Sequence, residues 1–513
     1  MTWNPDCWNV VFLTDTTDVV TVQKTLGTYK VAHELRQAGF QTTVINNLHT
    51  FEFSELLSLL SQLVGPKTLF VGFNNMFYQD ISDPTITEQN GVYFKPSRPG
   101  AMLPHGLQVN SAVKSHIQSL NPNTKLVLGG PTAHDASYNR DFDFIVSGYA
   151  DVSVINLARH LQDHNIPLEK SYRSVHGPVL INDSRAESFD FANSSMQWHA
   201  FDLVMPDEVL PIEMARGCIF KCTFCSYPLN GKKKLDFIKD PEHIYQELVD
   251  SYQRYGITRY KFVDDTFNDS VEKCRMIWEI SQRLPFKLEY WAYIRLDLMT
   301  AHPETIDWLF DSGLRGCYFG IETFDHSTAK LIGKGGHRDR LIQTLRNIKQ
   351  RWGNQVMLHG SFIFGLPHES VESMQRTKEF LLSDDCPLDS WFIQPLQIKA
   401  NADNWTAGFL SDLDRDYVKY GYEKLGEKDY DMLWANEHTT FETVREMVNS
   451  IHQAADHRKI ASSYVFQLAS LGYDLSDIAN CTIKEFDWHG ATLKKAQRAL
   501  EYKSLLKQQL GLN

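Results

Sequence analysis

Cys218, Cys222 and Cys225 stand within eight residues of one another in the run Met214-Ala-Arg-Gly-Cys-Ile-Phe-Lys-Cys-Thr-Phe-Cys-Ser-Tyr227. Three thiolates at that spacing can hold one face of a cubic iron–sulfur cluster and leave one iron open for chemistry. A structural zinc site would instead close its shell, usually with four protein ligands. The next candidates, His243 and Cys274, are distant in the chain. A zinc-stabilised scaffold or binding module is the non-enzymatic reading of the same cysteines.

Other chemistry-bearing residues recur where apolar runs end. Phe262-Val-Asp264-Asp265-Thr-Phe267 closes one run with two carboxylates, and capping the following helix from Asp265 or Asn268 is the plain alternative. Arg295, in Tyr293-Ile-Arg-Leu-Asp297, can grip a carboxylate through two parallel hydrogen bonds, against a surface salt bridge to Asp297. Glu322 ends Phe319-Gly-Ile-Glu-Thr323. His359-Gly-Ser-Phe-Ile-Phe-Gly-Leu-Pro-His-Glu369 carries Ile363 and Gly365 into a bend at Pro367, with Glu369 read as a helix-start residue. The basic run 232–234 reads as a solvated loop.

These residues need elements to position them. From Leu210 a strand–helix alternation repeats six times. Strands are expected at 211–215, 258–263, 287–292, 316–321, 355–364 and 390–397, with helices near 241–255, 270–283, 303–312, 337–351 and 370–384. A helix-length crossover between every two strands demands parallel neighbours. Six such units make a partial (β/α)6 TIM-type barrel over 210–400, with its site at the carboxyl ends of the strands. The cysteine loop follows the first strand.

Residues 1–165 alternate in the same way. Strands are expected at 10–14, 42–46, 68–72, 125–131 and 144–148, with helices at 22–37, 53–63, 109–120 and 153–162. That pattern predicts an α/β, doubly wound, Rossmann-like parallel sheet. Its strand ends carry the polar turn 15–18, residues 46–49 and glycines that let a ligand approach the backbone: Gly72, Gly129, Gly130 and Gly148. Tight turns are the plain reading of the same glycines. Residues 166–209 read as a linker, and 401–513 as a helical C-terminal domain with helices at 441–457, 459–471 and 491–510 that caps the barrel.

The cysteine loop, with Arg216-Gly before it and Phe224 inside it, resembles the radical S-adenosylmethionine (radical SAM) enzymes. The resemblance covers about 400 of the 513 residues and is most specific at the cysteines. It implies a 4Fe–4S cluster on Cys218, Cys222 and Cys225, with SAM on the open iron and reductively cleaved to a 5′-deoxyadenosyl radical. It further implies SAM contacts from Phe224, Asp264, Asp265, Arg295, Glu322, Ile363 and Gly365, and an external electron donor of the flavodoxin or ferredoxin type. The N-terminal segment resembles the cobalamin-binding domain of a large radical SAM subgroup, through Leu128-Gly-Gly-Pro-Thr-Ala-His134 and Asp143-Phe-Ile-Val-Ser-Gly148. The subgroup's Asp-x-His-x-x-Gly signature is absent, and its acidic run is here Gly148-Tyr-Ala-Asp151. Bound cobalamin at Gly72, Gly129, Gly130 and Gly148 and an emptied, structural domain are the two readings. With cobalamin the reaction is methyl transfer to an unactivated carbon or phosphorus. Without it, the reaction is a rearrangement, oxidation or cyclisation. A second cysteine triad, which methylthiotransferases need, is missing from the N-terminal segment, where Cys7 stands alone.

Composition agrees with a globular chain: 42% hydrophobic and 22% charged. Net charge of −12, from 51 basic and 63 acidic residues, argues against general nucleic-acid binding. No apolar run reaches the length of a membrane span, and no secretion signal is visible at the start. Five of the eight cysteines are scattered singly, which fits a reducing cytoplasm rather than a disulfide framework. The substrate, a small molecule or a peptide, is not specified by any motif.

Overall fold

The computed structural model describes residues 3–14, 24–74, 111–130, 133, 142–173, 177–183, 189–227, 229–399, 410–428, 431–455, 465–479, 481–482 and 485–511. The expected turn 15–18 and the start of the expected helix 22–37 lie outside them. The chain divides into two compact units. One comprises Met1–Asp190, Ser195–Glu208 and His489–Asn513; the other comprises Phe191–Ser194 and Val209–Trp488.

The first unit is built on a seven-stranded sheet. Its strands are β1 (Asn9–Leu13), β2 (Gln41–Ile45), β3 (Thr68–Asn74), β4 (Lys125–Gly130), β5 (Phe144–Gly148), β6 (Ser171–Arg173) and β7 (Val179–Asp183). The order is β2-β1-β3-β4-β5-β7-β6. Every pairing is parallel except β6 with β7. β1 is buried along its whole length, as a parallel strand covered on both faces must be. Helix Phe53–Leu63 buries Leu56, Leu59, Leu60 and Leu63, a single stripe at helical spacing, and starts with a Glu52/Glu55 capping box. The order reverses between β1 and β3, so a ligand crevice is expected beyond their carboxyl ends.

Residues 166–209 are more than a linker. β7 pairs parallel with β5, and β6 turns back on β7 as an edge strand. The partner that defines β7 lies some thirty residues earlier, so local periodicity gives little sign of it. The helical C-terminal domain is likewise corrected. Its last helix, Trp488–Gln509, belongs to the first unit, where Tyr502 and Leu506 enter the core with Val11, Leu13 and Val71. The Asn46 amide donates to the Tyr502 hydroxyl at 2.9 Å, and Lys503 and Lys507 both pair with Glu55. An apolar stripe spaced by three and four residues shows that a helix will pack, but not against which core.

The second unit carries six parallel strands in chain order: β8 (Leu210–Ile212), β9 (Arg259–Phe262), β10 (Glu289–Ile294), β11 (Leu314–Glu322), β12 (Met357–Phe364) and β13 (Ser390–Pro395). Helices Pro241–Tyr255, Val271–Arg283, Glu304–Asp311, Arg338–Trp352 and Val371–Leu382 cross between them. β8 and β13 do not pair among the described residues, so the barrel is partial. The strands alternate their faces. Tyr290 turns to the helix side, where its hydroxyl meets Ser312 at 2.8 Å. Trp291 and Tyr293 turn inward, Trp291 stacking on Phe466 and Tyr293 meeting Tyr318 edge-on. Phe466 also reaches Tyr318 and His359, and Gly316 has no side chain where that ring sits.

Beyond residue 400 the chain is not all helix. β14 (Glu423–Lys428) and β15 (Asp431–Ala435) form an antiparallel hairpin, followed by helix Phe441–Ala455. Trp434 Nε1 donates to the Leu396 carbonyl at 2.9 Å, which fixes the hairpin just past β13. Of the helix expected at 459–471, residues 459–464 lie outside the described set and a short helix Val465–Leu468 follows. Among the described residues no helix is long and apolar enough to cross a membrane.

Candidate active site

β8 runs directly into the cysteine loop, and backbone hydrogen bonds fold that loop on itself. Arg216 N–H donates to the Phe237 carbonyl at 3.0 Å, Lys239 N–H to Met214 at 2.9 Å, and Gly231 N–H to Cys218 at 2.8 Å. Gly217 lies at φ +72°, and a Cβ there would stand 2.6 Å from the Leu229 carbonyl oxygen, so only glycine fits. Glu213 holds Arg216 through two bonds of 2.9 Å, and the guanidinium covers the Phe191 ring at 4.8 Å. Sequence reading passed over Glu213, although its spacing of three from Arg216 was visible.

All three cysteines are free thiols at the carboxyl ends of the strands. Cys218 Sγ lies 3.2 Å from Thr266 Oγ1 and accepts from Phe220 N–H at 3.4 Å. Burial pushes the Cys218 thiol up, and takes Cys225 up to about 11. Cys222 Sγ lies 3.6 Å from the Gly333 carbonyl. Among the described residues no three His, Cys, Asp or Glu side chains already stand as a metal-binding group. The donors nonetheless suit the cluster: three thiols on one loop, with no fourth cysteine or histidine beside them to close a zinc shell. Phe224 lies half-buried between Cys222 and Cys225.

Arg295 does not wait for a ligand carboxylate. Its Nε and Nη2 bind both oxygens of Asp297, at 3.0 and 2.6 Å, and Nη2 also donates to Gly333 O at 3.2 Å. Its guanidinium stacks 3.7 Å from the Phe220 ring centre. The pair is buried, which corrects the surface salt bridge weighed from sequence. Arg295 is thereby a positioning residue for the cysteine loop.

The two adjacent carboxylates part company. Asp264 is fully buried, accepts the Met214 amide at 2.8 Å and pairs with Lys273 at 3.1 Å; Asp269 takes the same ammonium at 3.0 Å. Burial presses Lys273 down, but the two carboxylates more than reverse this and hold it charged. Asp264 is therefore structural rather than ligand-facing, and Ser270, not Asp265 or Asn268, caps the helix that follows. Asp265 keeps one buried carboxylate oxygen without a partner, and burial beside Asp264 lifts it to about 7. Thr223, inside the cysteine loop, has a buried hydroxyl in the same condition.

Glu322 ends β11 at φ +66°, a conformation costing of order 1–3 kcal/mol for a side-chain-bearing residue, and the register against β12 shifts there. Its carboxylate lies 3.5 Å from Lys334, which also donates to Gly320 O at 2.8 Å. At the end of β12, Ile363 is buried and Gly365 lies at φ +80° with the Trp434 ring where a Cβ would go. The Tyr422 hydroxyl takes the Gly365 carbonyl at 2.6 Å. Glu369 is no mere helix start. It accepts from Thr323 at 2.6 Å and from Gly365 N–H at 3.0 Å, clamping the ends of β11 and β12 together. The basic run is solvated, with Lys234 on Glu272 at 2.7 Å.

In the first unit the glycines divide. Gly72 makes room for Phe12, whose ring would lie 2.5 Å from a Cβ, so packing accounts for it. A Cβ added at Gly129 would meet the Val146 carbonyl oxygen at 3.9 Å, an ordinary contact, and Gly130 and Gly148 take φ of +134° and +82°. Asn46 Oδ1, Asn47 Oδ1 and Ser147 Oγ, near the carboxyl ends of β2 and β5, are buried without partners. Unspent polar atoms at these ends fit a large polar-edged ligand such as cobalamin.

Residues 212–381 match the model of the radical SAM superfamily. An uncharacterized methyltransferase of Pyrococcus horikoshii is 31% identical over 169 residues, 32% of this chain and 35% of that protein. A bacteriochlorophyllide d methyltransferase of Chlorobaculum tepidum is 23% identical over 182 residues, 34% and 38% of the two chains. The matched stretches thus span little more than a third of these relatives. The fold extends further. The radical S-adenosylmethionine methyltransferase TsrM from Kitasatospora setae, solved with cobalamin and a 4Fe–4S cluster, aligns over 96% of this chain and 99% of its own. Its TM-score is 0.63 at 14% identity. The cobalamin-dependent S-adenosylmethionine radical enzyme OxsB, with aqua-cobalamin and SAM bound, aligns over 98% and 75%, with a TM-score of 0.57 at 13% identity. Within the second unit residues 212–381 thus match the radical SAM superfamily model, and the whole chain is similar in fold to TsrM and OxsB.

Proposed function

We propose that this protein is a radical SAM enzyme that transfers a methyl group to an unactivated carbon or phosphorus of a small-molecule or peptide substrate. The observation that carries the reading is three free thiols on the loop after β8, with no fourth cysteine or histidine beside them among the described residues. Cys218, Cys222 and Cys225 would hold the 4Fe–4S cluster. When bound, the cluster supplies the electron that splits SAM into methionine and a 5′-deoxyadenosyl radical, and cobalamin supplies the methyl carrier.

The chain's own residues hold and shield that chemistry. Arg295 and Asp297 fix the position of Cys222. Asp265 after β9 and Glu322 at the end of β11 would offer carboxylate oxygens, where the amino group and ribose of SAM would need acceptors. Glu369 sets the β12 bend, against which Ile363 packs. Asn46, Asn47, Ser147 and the backbone at Gly129, Gly130 and Gly148 would hold cobalamin. Free, scattered cysteines support a reducing cytoplasm as the setting and an external flavodoxin- or ferredoxin-type reductant as the electron source.

The test is anaerobic reconstitution of the full chain with iron and sulfide, then with hydroxocobalamin. About four irons per chain, a corrinoid spectrum that survives desalting, and 5′-deoxyadenosine formed from SAM under dithionite are expected. One zinc without sulfide, or a metal centre indifferent to SAM, would remove the proposal.

A further inference from the structure

The mouth of the partial barrel holds a group of phenols that none of the roles above uses. Tyr293 of β10 and Tyr318 of β11 are register partners on the inward face, their rings edge to face at 4.9 Å. Tyr227 follows the third cysteine of the loop, and its hydroxyl lies within electrostatic reach of Tyr293, Tyr318, Asp265 and Cys225. These side chains stand together beside the cysteine loop. They are not packed away: Tyr227 is 59% exposed and Tyr293 38%. Aromatic rings left accessible at a barrel mouth, next to the place where a radical would form, belong to a pocket wall rather than to the core.

The floor beneath these rings is built too. Tyr318 lies over His359 with ring centres 4.7 Å apart, and its hydroxyl sits beside Ser361. Phe466 packs with both, reaching Tyr318 at 6.2 Å and His359 at 5.7 Å. His359 is fully buried, tied through Nδ1 to Ser390 at 2.7 Å, and its Nε2 has no partner.

We propose that Tyr227, Tyr293 and Tyr318 form the wall of the substrate pocket, and that the substrate is a small molecule presenting a planar aromatic ring. The inference rests on the radical SAM reading for what happens to the ring, but not for whether the ring binds. Offset-stacked and edge-to-face contacts reward a flat π-system, and the phenols and Ser361 add hydroxyls at its edge. Of the carboxylates near the mouth, Asp264 is committed to Lys273, Glu322 stands 3.5 Å from Lys334, and Asp265 and Glu322 are the acceptors assigned to SAM. Ring stacking, rather than a fan of carboxylates suited to a sugar, is the recognition on offer.

The experiment uses the anaerobically reconstituted full chain, with indole as the probe and cyclohexanol as an aliphatic ring of similar bulk. Binding is followed by saturation-transfer NMR. Indole is expected to bind saturably, at least fivefold more weakly to Tyr293→Leu, and with little change to Tyr293→Phe, which keeps the ring. Cyclohexanol is expected not to compete. Tyr227→Ala, at an exposed position, gives the same weakening and keeps the test open if Tyr293→Leu fails to fold. No saturable indole signal, undiminished binding in the leucine and alanine variants, or equal competition by cyclohexanol would overturn the assignment. SAM cleavage measured alongside separates a failed radical reading from a failed pocket, because ring binding needs no turnover.

Discussion

Arg295 Nη1 lies 3.6 Å from Cys222 Sγ, while the rest of the same guanidinium is clamped by Asp297. A fixed cation holds a ligating sulfur by a charge-assisted contact, and a planar fork fixes that geometry better than an ammonium.

Arg295→Met is therefore expected to weaken cluster retention by about tenfold, the lower end for loss of a group that orients a metal ligand. Iron and sulfide per chain after desalting give the readout. Full retention would mean that the guanidinium only fills space.

Lys273 is completely buried between Asp264 and Asp269. Lys273→Met leaves two interior carboxylates unpaired, at a cost of about 3–5 kcal/mol. Denaturant unfolding of the apo-protein checks this, and a change below about 1 kcal/mol would show that the triad is not charged.

Glu369 gives a pH signature. Burial lifts its carboxyl from 4.5 to about 8, so the folded chain keeps a proton that the unfolded chain releases. The native state then binds more protons across that window. The stability this group contributes is fully present below about pH 4.5 and declines as pH rises toward 8, by up to about 1.4 kcal/mol per unit. Glu369→Gln is expected to flatten the profile of unfolding free energy between pH 5 and 8. An unchanged slope would place the titration elsewhere.

Gly316→Ala sets a Cβ 2.5 Å from the Phe466 ring and 2.9 Å from Trp291 Cβ. Overpacking of this kind costs about 1–3 kcal/mol. Pairing the change with Phe466→Leu should recover part of it, because the two sites share the clash. A double variant no better than the sum of the singles would separate them.

The cysteine loop and the six strand–helix units were legible because their signals are local: short spacings and apolar runs. The boundaries of helix Pro241–Tyr255 agree to the residue, with Asp240 as cap and Gly256 as stop. What sequence alone did not give is long-range choice of partner. Asp264 and Asp265 are neighbours of one type, and only the fold decides that Lys273 takes the first. Arg295 and Asp297 were both noticed, but not that burial would commit them to each other and to Cys222. Glu369 reads as a helix start until Thr323, 46 residues earlier, arrives to bind it. The pairing of β7 was missed for the same reason, whereas the hairpin β14–β15 is local and was passed over in a segment read as helical.

The last helix has a consequence for biosynthesis. Tyr502 and Leu506 are needed to seal a core that also uses Val11 and Leu13, so the first unit stays unfinished until residues 489–509 have left the ribosome. Residues 209–488 are translated in the interval and can reach their own native state first. A nascent chain that has emerged only as far as residue 488 would thus expose the greasy flank of the first unit's sheet while the partial barrel was already formed, and that exposure makes the ordering observable by arrested translation and proteolysis.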